Sequence, residues 1–497
     1  MEDCDAVEVL ICGAGAAGLT LAIDLARRGV SFRLIDRLAE PFAGSRGKGI
    51  QPRTLEVFED LDVVDRIAAA SGPYPPQRRH HVGGGHDEAQ SFAITPPTAD
   101  EPYRTPLLVP QFRTEAILRE RLAELGQAPA YGRELRDFTQ DAEGVTAQVA
   151  GPDGVATIRC RYLVGGDGGR SFVRRALQVG FPGRTLGVRA IVADIVLEGL
   201  TRDAWHRFDD GDMARQVAFC PLPHSRLFQL QAPIPPEGEP DLSVRGLQAF
   251  VDARIAGSGL VVREVAWASA YSMNARLADR YRVGRVLLMG DAAHIHPPTG
   301  GQGLNTSVQD AYNLGWKLGA VLAGAPDALL DSYEAERRPI AADMLGLATD
   351  LLEKAKQGDM RRGRDVHQMD LAYPSSLLSL DLTGRAAGVR AGDRAPDVPL
   401  QGAGGQPRRL FDLMRGPHWT LVGRGADAAL PPPRAGLHSH RIGPGDAFRD
   451  VGDRLATAYG MADGDLLLIR PDGYVGAVLP AAQAARLEAY LAACLPA

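Results

Sequence analysis

A glycine-rich turn near the amino terminus, at positions 13–18 (Gly-Ala-Gly-Ala-Ala-Gly), has the residue types and spacing to bind phosphate. It lies between an apolar run at 7–12 and apolar residues at helical spacing, so the order is strand, turn, helix. Unpaired N–H groups at the start of such a helix attract phosphate, and Gly15 lets it approach the backbone. Asp36 follows the next strand, 18 residues after Gly18, and can accept ribose hydroxyl groups. This context predicts a dinucleotide site and disfavours an incidental turn.

Two further loops repeat the pattern of strand, glycine-rich loop and helix. Apolar residues 286–289 lead into a Gly- and Pro-rich loop at 290–303, and a long helix is predicted over 304–323. Residues 162–164 run into the loop 165–169, which is followed by an arginine-rich helix start. The loop at 290–303 is therefore predicted to be a second phosphate-type site.

Neither metal nor disulfide chemistry is predicted. His294 and His296 have no third ligand at a recognisable spacing, which favours structural or cofactor-adjacent histidines over a metal site. No CxxC pair occurs, so neither a disulfide framework nor a cysteine-ligated metal is expected, and a reducing cytoplasm fits. The cysteines are Cys4, Cys12, Cys160, Cys220 and Cys494.

Composition restricts the class of protein. A chain of 497 residues exceeds the size of one hydrophobic core, so two or three domains are expected. Hydrophobic residues at 45% and charged residues at 23% are typical of a globular chain. The net charge of -6 provides no basic field for nucleic acid or an anionic membrane. Acids at the amino terminus argue against a secretory signal, and the apolar stretch 7–23 is too short to cross a bilayer.

The elements that must position these loops follow from periodicity and turn signals. Helices are predicted at 52–70 and 113–125. After the helix over 304–323, helical patterns continue to about 356, and a polar segment follows at 357–370. A meander of strands is predicted at 134–138, 145–149 and 156–160, and β-rich strands at 190–196, 216–220, 227–231 and 261–268. The last predicted elements are strands at 419–422 and 436–440, a helix at 447–458, a hairpin at 466–469 and 474–478, and a helix at 481–493.

The three glycine-rich motifs, in this order, resemble those of the single-component FAD-dependent aromatic hydroxylases, the p-hydroxybenzoate and phenol hydroxylase group. Length and C-terminal region are most similar to its polyketide-tailoring members and to rifampicin monooxygenase. The resemblance covers essentially the whole chain and implies an α/β fold. It comprises an FAD-binding, doubly wound (glutathione-reductase-like) domain at 1–175 and 276–390, an inserted β-rich substrate domain at 176–275, and a thioredoxin-like domain at 391–497.

The resemblance also implies which residues hold FAD. Arg46 and Gln111 match side chains that reach the ribityl chain and pyrophosphate, and Asp291 matches an acid on a ribityl hydroxyl group. Asp291 could instead cap the following turn, and Arg46 could be a solvated surface group. The full implied set is Gly13, Gly15, Ala16, Ala17, Gly18, Asp36, Arg37, Arg46, Gln111, Leu135, Asp167, Gly168, Asp291, Pro297, Gly301, Gly303, Leu304 and Asn305.

The implied activity is a monooxygenase reaction. NADPH or NADH reduces FAD, the reduced flavin captures O2, and a C4a-hydroperoxide delivers one oxygen atom to an aromatic substrate, by analogy a polycyclic or polyketide-type molecule of antibiotic biosynthesis. No catalytic side chain is identified, since the candidates are more typical of ordinary surface or core positions than of substrate ligands. These candidates are Arg215, Gln216, His224 and Gln229 on the inserted sheet and the paired His80 and His81. The chain is expected to be cytoplasmic and to act as a monomer or homodimer, without nucleic acid or membrane partners.

Three alternatives stay open from the sequence. A Baeyer–Villiger or epoxidising oxygenase would share every motif. A non-catalytic flavin-binding protein is disfavoured because the loop at 290–303 is intact, and a plain NAD-dependent dehydrogenase leaves that loop unexplained. The C-terminal region contains only Cys494, so dithiol exchange within it is excluded and a structural or dimer-contact role is predicted.

Overall fold

The computed structural model describes residues 5–81, 83–209, 212–356, 362–384, 388–425, 428 and 430–495. Cys4 lies outside these residues, as do positions 357–361 of the predicted polar segment.

The amino-terminal part alternates strands and helices. Its strands are β1 (Asp5–Cys12), β2 (Phe32–Ile35), β3 (Gly49–Ile50), β4 (Gln77–His80), β5 (His86–Ala89), β6 (Leu107–Leu108), β7 (Glu134–Gln140), β8 (Val145–Gly151) and β9 (Gly154–Gly165). Its helices are α1 (Ala16–Arg27), α2 (Pro52–Asp60), α3 (Val64–Ala70), α4 (Gln111–Glu124) and α5 (Phe172–Ala176).

The central part contains the longest strands and helices. Its elements are β10 (Gly183–Glu198), β11 (Trp205–Phe208), β12 (Val217–Pro221), β13 (Leu227–Ile234), α6 (Val244–Arg254), β14 (Val261–Leu277), β15 (Arg282–Val283), β16 (Val286–Leu288), β17 (His294–Ile295), α7 (Gln302–Leu322) and α8 (Asp331–Lys356).

The C-terminal part is again mixed. Its elements are β18 (Leu380–Asp381), β19 (Pro399–Gly402), β20 (Pro407–Arg409), α9 (Leu410–Met414), β21 (Trp419–Arg424), β22 (Leu437–Ile442), β23 (Phe448–Asp450), α10 (Arg454–Tyr459), β24 (Leu466–Ile469), β25 (Val475–Leu479) and α11 (Ala484–Cys494). Short 3-10 turns lie at Met213–Arg215, Gly290–Ala292, Thr299–Gly301, Asp327–Leu330, Arg364–His367 and Ala481–Gln483.

The first sheet brings the three glycine-rich loops together. Its strand order is β15-β16-β9-β1-β2, with the β7–β8 pair added along β9. Strands β1, β9 and β16 are parallel, and Gly165 pairs with both Cys12 and Leu288. Because the carboxyl ends of parallel strands meet at one edge, the loops that follow these three residues lie side by side, where α/β sheets bind their ligands. The predicted strand, turn and helix order at each loop is confirmed.

The second sheet has the order β17-β14-β10-β13-β12-β11-β4-β5. The four predicted strands of the β-rich region are confirmed and extended, β10 reaching from Gly183 to Glu198 and β14 from Val261 to Leu277. Strands β4 and β5 precede this region in the chain, and β4 pairs with β11 in parallel. The sheet therefore extends beyond the 176–275 boundary expected from the sequence.

The C-terminal sheet, β18-β25-β24-β21-β22-β23-β19-β20, packs through one face against the part of the chain that contains the first sheet. Trp419 meets Trp316 edge to face, with ring centroids 5.3 Å apart. Arg470 donates to both carboxylate oxygens of Glu336 on α8, at 2.7 and 2.8 Å, and Lys317 of α7 donates to the same carboxylate. This part of the chain is therefore joined to the rest by core packing and by a buried ion network.

Two predicted helices are wrong in part. The helix predicted over 52–70 is two helices, because Asp62 adopts a left-handed φ of 64° and Val63 donates back to Phe58 while Asp62 donates to Glu59. This is a Schellman ending in which aspartate takes the usual glycine position. The helix predicted over 447–458 starts only at Arg454, since residues 448–450 pair in the sheet and Asp450 accepts from the first helical N–H groups.

Candidate functional site

A large cavity lies between the loop edge of the first sheet and one face of the second. Its volume is about 1290 Å³, beyond the roughly 300 to 1,000 Å³ of an ordinary small-molecule site. The three glycine-rich loops line one end, and residues of β11, β13 and β14 line the other. The space is therefore large enough for two ligands held end to end, a dinucleotide and a second molecule.

Each glycine of the first turn has its own reason to lack a side chain. A Cβ on Gly13, whose φ is 107°, would lie 2.2 Å from the carbonyl oxygen of Gly166, and one on Gly18 would lie 1.8 Å from that of Gly13. A Cβ on Gly15 would meet only Glu115, at 3.7 Å, and would point into the cavity. The protein therefore needs Gly13 and Gly18 for its own packing, whereas Gly15 leaves open a cradle for a ligand.

The Asp36 carboxylate connects this turn to the end of β2 through hydrogen bonds. Its Oδ2 accepts from the N–H of Ala14 at 2.8 Å, and its Oδ1 accepts from the N–H of Leu38 at 2.9 Å. The carboxylate is half-buried and lines the cavity beside the turn. Each oxygen keeps a lone pair for a ribose hydroxyl group, so the geometry is compatible with the predicted role.

The loop at 290–303 is held from beneath by a buried charge cluster. Asp310 of α7 accepts from the N–H of Gly290 at 3.1 Å, lies 2.6 Å from His294 Nε2, and accepts from Arg337 Nε at 2.8 Å. Burial alone would raise the pKa of Asp310, but the charges of His294 and Arg337 lower it, so it remains a carboxylate. His294 is thus a structural residue, while His296 lines the cavity.

Asn305 is the one predicted site residue that does not line the cavity. Its Oδ1 accepts from the N–H of Gln51 at 2.9 Å, and its Nδ2 donates to the carbonyl oxygens of Gly49 and Gly301. The side chain is fully buried. It joins the start of α7 to strand β3, and therefore positions backbone groups of the site without a free polar atom for a ligand.

The half-buried Gln111 and the buried Glu115 form a hydrogen-bonded pair beside the glycine-rich turn at 13–18. Gln111 Oε1 accepts from the N–H of Gly47 at 2.9 Å, and its Nε2 donates to Glu115 Oε1 at 2.8 Å. Burial raises the pKa of Glu115 to about 7, against the hydrogen bond from Gln111 and the charge of Arg119. Glu115 was not among the predicted residues, and the signal for it was a carboxylate on the buried face of an amphipathic helix.

Arg46 and Asp167 are held in place by aromatic and backbone partners. The Arg46 guanidinium lies 5.3 Å from the ring centroid of Phe42 and 5.6 Å from that of Trp267, an arrangement that fixes a long side chain at the cavity wall. Asp167 Oδ2 caps α5 by accepting from Phe172 at 2.7 Å, and its buried Oδ1 has no hydrogen-bond partner among the described residues. That orphaned oxygen lies at the cavity wall and fits a ligand that donates a hydrogen bond.

Asp291 faces the cavity beside the 297–304 segment. Enclosure by protein raises the pKa of its carboxyl group, against the charges of His294 and Arg46. A Cβ on Gly303 would meet no atom within 4 Å, so backbone N–H groups at the start of α7 are open to the cavity. The predicted residues that line it are Gly13, Gly15, Ala16, Ala17, Gly18, Asp36, Arg37, Arg46, Gln111, Leu135, Asp167, Gly168, Asp291, Pro297, Gly301, Gly303 and Leu304.

The far end of the cavity was not predicted in detail. Its wall alternates aromatic, cationic and amide side chains along the strands, a period-two signal that only the pairing of the strands places on one face. Gln216 lines this end, whereas Gln229 is buried beneath it and His224 bonds instead to the carbonyl oxygen of Ser71. The principal lining residues are Lys48, Tyr74, Trp205, Arg207, Gln231, Tyr271 and Met273.

A family model described as "FAD binding domain" matches residues 6–348, and one described as "Aromatic-ring hydroxylase, C-terminal" matches residues 389–497. The chain belongs to the FAD-dependent aromatic-ring hydroxylases. The enzyme is thus a flavoprotein monooxygenase, as the sequence motifs indicated. The resemblance stated from those motifs is confirmed, and with it the fold class.

Named relatives span nearly the whole hydroxylase. A flavin-dependent monooxygenase of Mycobacteroides abscessus is 41% identical, over 94% of this chain and 96% of that protein. A 12-dehydrotetracycline 5-monooxygenase/anhydrotetracycline 6-monooxygenase of Streptomyces rimosus is 35% identical, over 94% of both. Among solved structures, the flavin-dependent monooxygenase PieE with FAD and substrate is 25% identical, with a TM-score of 0.87 over 99% of both chains. Aklavinone-11 hydroxylase with FAD and aklavinone is 28% identical, with a TM-score of 0.83 over 100% of both.

The hydroxylase holds FAD as its cofactor, and the described residues fit that group. The Gly15 cradle admits a pyrophosphate, and the unpartnered Asp167 oxygen and the open α7 N-terminus supply polar groups along the cavity. Within the described ranges, no group of three or more His, Cys, Asp or Glu side chains could hold a metal ion. No helix in the same ranges is both long and apolar enough to cross a membrane.

Proposed function

We propose that the hydroxylase uses NADPH or NADH and O2 to insert one oxygen atom into a polycyclic aromatic, polyketide-type substrate. The observation that carries this proposal is the continuity of the cavity from the Gly15 cradle to the face of the second sheet. The anhydrotetracycline and aklavinone enzymes are named for substrates with fused rings, which supports a substrate of the same class.

The proposed FAD contacts follow the cavity wall from the first turn to α7. The pyrophosphate would lie on residues 13–18, the adenosine ribose on Asp36 and the ribityl chain between Arg46 and Asp291. Helix α7 begins at Gln302 and is 21 residues long, so its N-terminus carries partial positive charge. Backbone N–H groups there would stabilise negative charge on the flavin ring. Bound there, FAD would supply the redox chemistry of the reaction, which is acceptance of a hydride from the nicotinamide nucleotide and activation of O2.

The protein supplies orientation and exclusion of water at the far end. Trp205, Tyr271 and Met273 offer flat apolar surface to a fused-ring substrate. A substrate bound between the two sheets would limit the access of water to the reacting atoms and so limit the loss of activated oxygen to solvent.

We also propose which part of the chain binds the cofactor and which part binds the substrate. Residues 1–175 and 276–390 would hold FAD, residues 176–275 with β4 and β5 would hold the substrate, and residues 391–497 would support the assembly. Cys12, Cys160, Cys220 and Cys494 are free and buried, which supports a reducing cytoplasm as the site of action. We propose a monomer or homodimer as the working form.

The test starts from the purified protein. Flavin absorbance should show about one FAD per chain, and a panel of polycyclic phenols should be screened for stimulation of NADPH or NADH oxidation. Mass spectrometry should then show a product heavier by one oxygen atom, with labelled oxygen derived from O2. NADPH oxidation that yields only hydrogen peroxide with every compound, or a product in which a ring carbon–carbon bond has been opened by oxygen insertion, would contradict the proposal.

A further inference from the structure

A buried lysine reaches the substrate end of the cavity. Lys48 lines the cavity, is 9% exposed, and places its Nζ 4.2 Å from the ring centroid of Trp205, which lines the same wall. Most lysines lie at the protein surface, because burial of an ammonium group costs free energy unless a polar or charged partner compensates for it.

The partner is a chain of polar groups that ends in a carboxylate. Lys48 donates to Gln229 Oε1, and Gln229 Nε2 donates to the carbonyl oxygen of Ser45. The N–H and the hydroxyl group of Ser45 both donate to Asp194, whose carboxylate is fully buried on β10. Gln231 also donates to Gln229 Oε1, at 2.9 Å. The cavity-facing end of this chain is an amine, and its inner end is a carboxyl group that can balance the ammonium form of the amine.

The backbone places this amine at the junction of the two binding regions. The N–H of Gly47 is held by Gln111 under the phosphate turn, and the carbonyl oxygen of Gly49 accepts from Asn305 at the start of α7. Lys48 lies between these two anchors, with its side chain directed to the second sheet, where it contacts Gln229 and Trp205. A substrate bound against that face of the cavity therefore lies next to Lys48.

The electrostatic surroundings allow the amine to change its charge. Burial lowers the pKa of Lys48, while Cys220 on β12 and Asp194 on β10 partly offset that effect. Burial raises the pKa of Asp194, against the Ser45 hydrogen bonds and the charge of Lys48. Arg207 of β11 lines the same end and is paired with Asp209, and Tyr74 lines it near Gly49.

We propose that Lys48 accepts the proton of a ring hydroxyl group of the substrate and then holds the ring oxygen anion beside its ammonium group. This inference rests on the proposed function and names a catalytic residue for it. The O–H bond of the phenol breaks, an N–H bond forms on Nζ, and the electron pair stays on the ring oxygen. An ionised phenol is a stronger nucleophile at its ring carbons, which favours attack on electrophilic oxygen. Gln229, Ser45 and Asp194 are positioning residues, since they act through Lys48.

The first test needs no turnover. The dye 1,2-dihydroxyanthraquinone is a polycyclic phenol whose anion absorbs at longer wavelength than its neutral form, so its ionisation can be followed when it is bound to the FAD-loaded enzyme. In the wild type, we expect the bound dye to titrate about one to three pH units below the free dye, because an ammonium group lies beside the oxygen. Lys48→Met should abolish this shift with FAD content unchanged, and Lys354→Met, at an exposed lysine of α8, should keep it.

The second test observes the lysine itself. The sequence has only four lysines, Lys48, Lys317, Lys354 and Lys356, so protein labelled with 13C at the lysine side chains gives a simple spectrum in which Lys48→Met identifies one signal. At a pH where the Lys48 signal of the dye-free enzyme lies partly at the neutral position, addition of the dye should move it towards the ammonium position. In Asp194→Asn the same signal should titrate at lower pH, because the compensating carboxylate is gone.

These outcomes separate the inference from the proposed function. A dye that ionises equally in the wild type and in Lys48→Met, that binds the wild type only in its neutral form, or that does not bind it at all, would overturn the assignment of Lys48. So would a Lys48 signal that keeps its charge state when the dye is added. An enzyme that ionises the dye through Lys48 but transfers no oxygen would instead contradict the proposed function.

Discussion

The two glycines Gly15 and Gly18 lie three residues apart, and the structure predicts opposite failures when each is replaced. Gly15→Val places a side chain in the cradle proposed for the FAD pyrophosphate, where the fold itself has space. Gly18→Ala places a Cβ 1.8 Å from the carbonyl oxygen of Gly13, where the fold has none. The first change should therefore remove FAD and the second should destabilise the protein.

The magnitudes follow from the local geometry. Gly15 is the N-cap of α1 with a φ of -76°, which any residue adopts, so valine should cost the apo-protein at most about 1 kcal/mol as a poorer cap. Loss of one or two charge-assisted hydrogen bonds to phosphate costs about 3 kcal/mol, or about a hundredfold in the Kd for FAD. For Gly18→Ala, overpacking of about 3 kcal/mol is offset by about 1 kcal/mol of helix propensity, a net loss of about 2 kcal/mol.

The assay compares both variants in the same two measurements. Quenching of flavin fluorescence gives the Kd for FAD, and urea denaturation of the apo-proteins followed by circular dichroism gives the free energy of unfolding. A Gly15→Val protein that binds FAD within threefold of the wild type would refute the cradle. A Gly18→Ala protein as stable as the wild type would refute the packing argument for the third glycine.

Four further outcomes are expected. Asp291→Ala should weaken FAD binding about tenfold by loss of a hydrogen bond, whereas Asp141→Ala at an exposed turn should not, and equal affinities in a fluorescence titration would remove Asp291 from the site. Burial raises the pKa of Glu115 to about 7, so the affinity for FAD should fall as pH rises through that value. Glu115→Gln should abolish this pH dependence. A wild-type Kd for FAD that is constant across neutral pH would contradict the prediction. Glu336 is buried, but neighbouring cations hold its pKa below the ordinary value, so its contribution to stability is present above about pH 4.3 and lost as pH falls. Glu336→Gln should lower the free energy of unfolding by about 3 to 5 kcal/mol in denaturation experiments and should weaken the dependence of that free energy on acid pH. An acid dependence equal to that of the wild type would contradict the role of the ion network. Burial raises the pKa of Cys494 to about 11, so Cys494→Ser should leave NADPH oxidation per bound FAD unchanged, and its loss at full FAD content would reveal a redox role.

The local sequence pattern was sufficient to predict secondary structure wherever the residues that determine an element lie next to one another in the chain. Apolar runs followed by glycine-rich loops predicted the strand, turn and helix order at all three motifs, because alternation and helical spacing are set by the chain itself. The helix break at Asp62 was missed since aspartate in a left-handed conformation leaves no glycine to signal it. Residues 448–450 were assigned to a helix because their pairing with distant strands is invisible in a short window.

The candidate site likewise has some parts that local sequence predicts and others that depend on long-range packing. Local features of the sequence predict the phosphate site at residues 13–18, the role of Asp36 and the 290–303 loop, because glycine spacing and helix termini have a direct chemical meaning.

Two features become visible only in the folded chain: Asn305 supports the backbone, and Lys48 lies beside Gln229, 181 positions further along the chain. Long-range pairing of β10, β13 and β14 sets which side chains share a face with the cavity, and one register step would turn all of them away. Burial, which raises the pKa of Glu115 and lowers that of Lys48, arises only when these distant segments pack together.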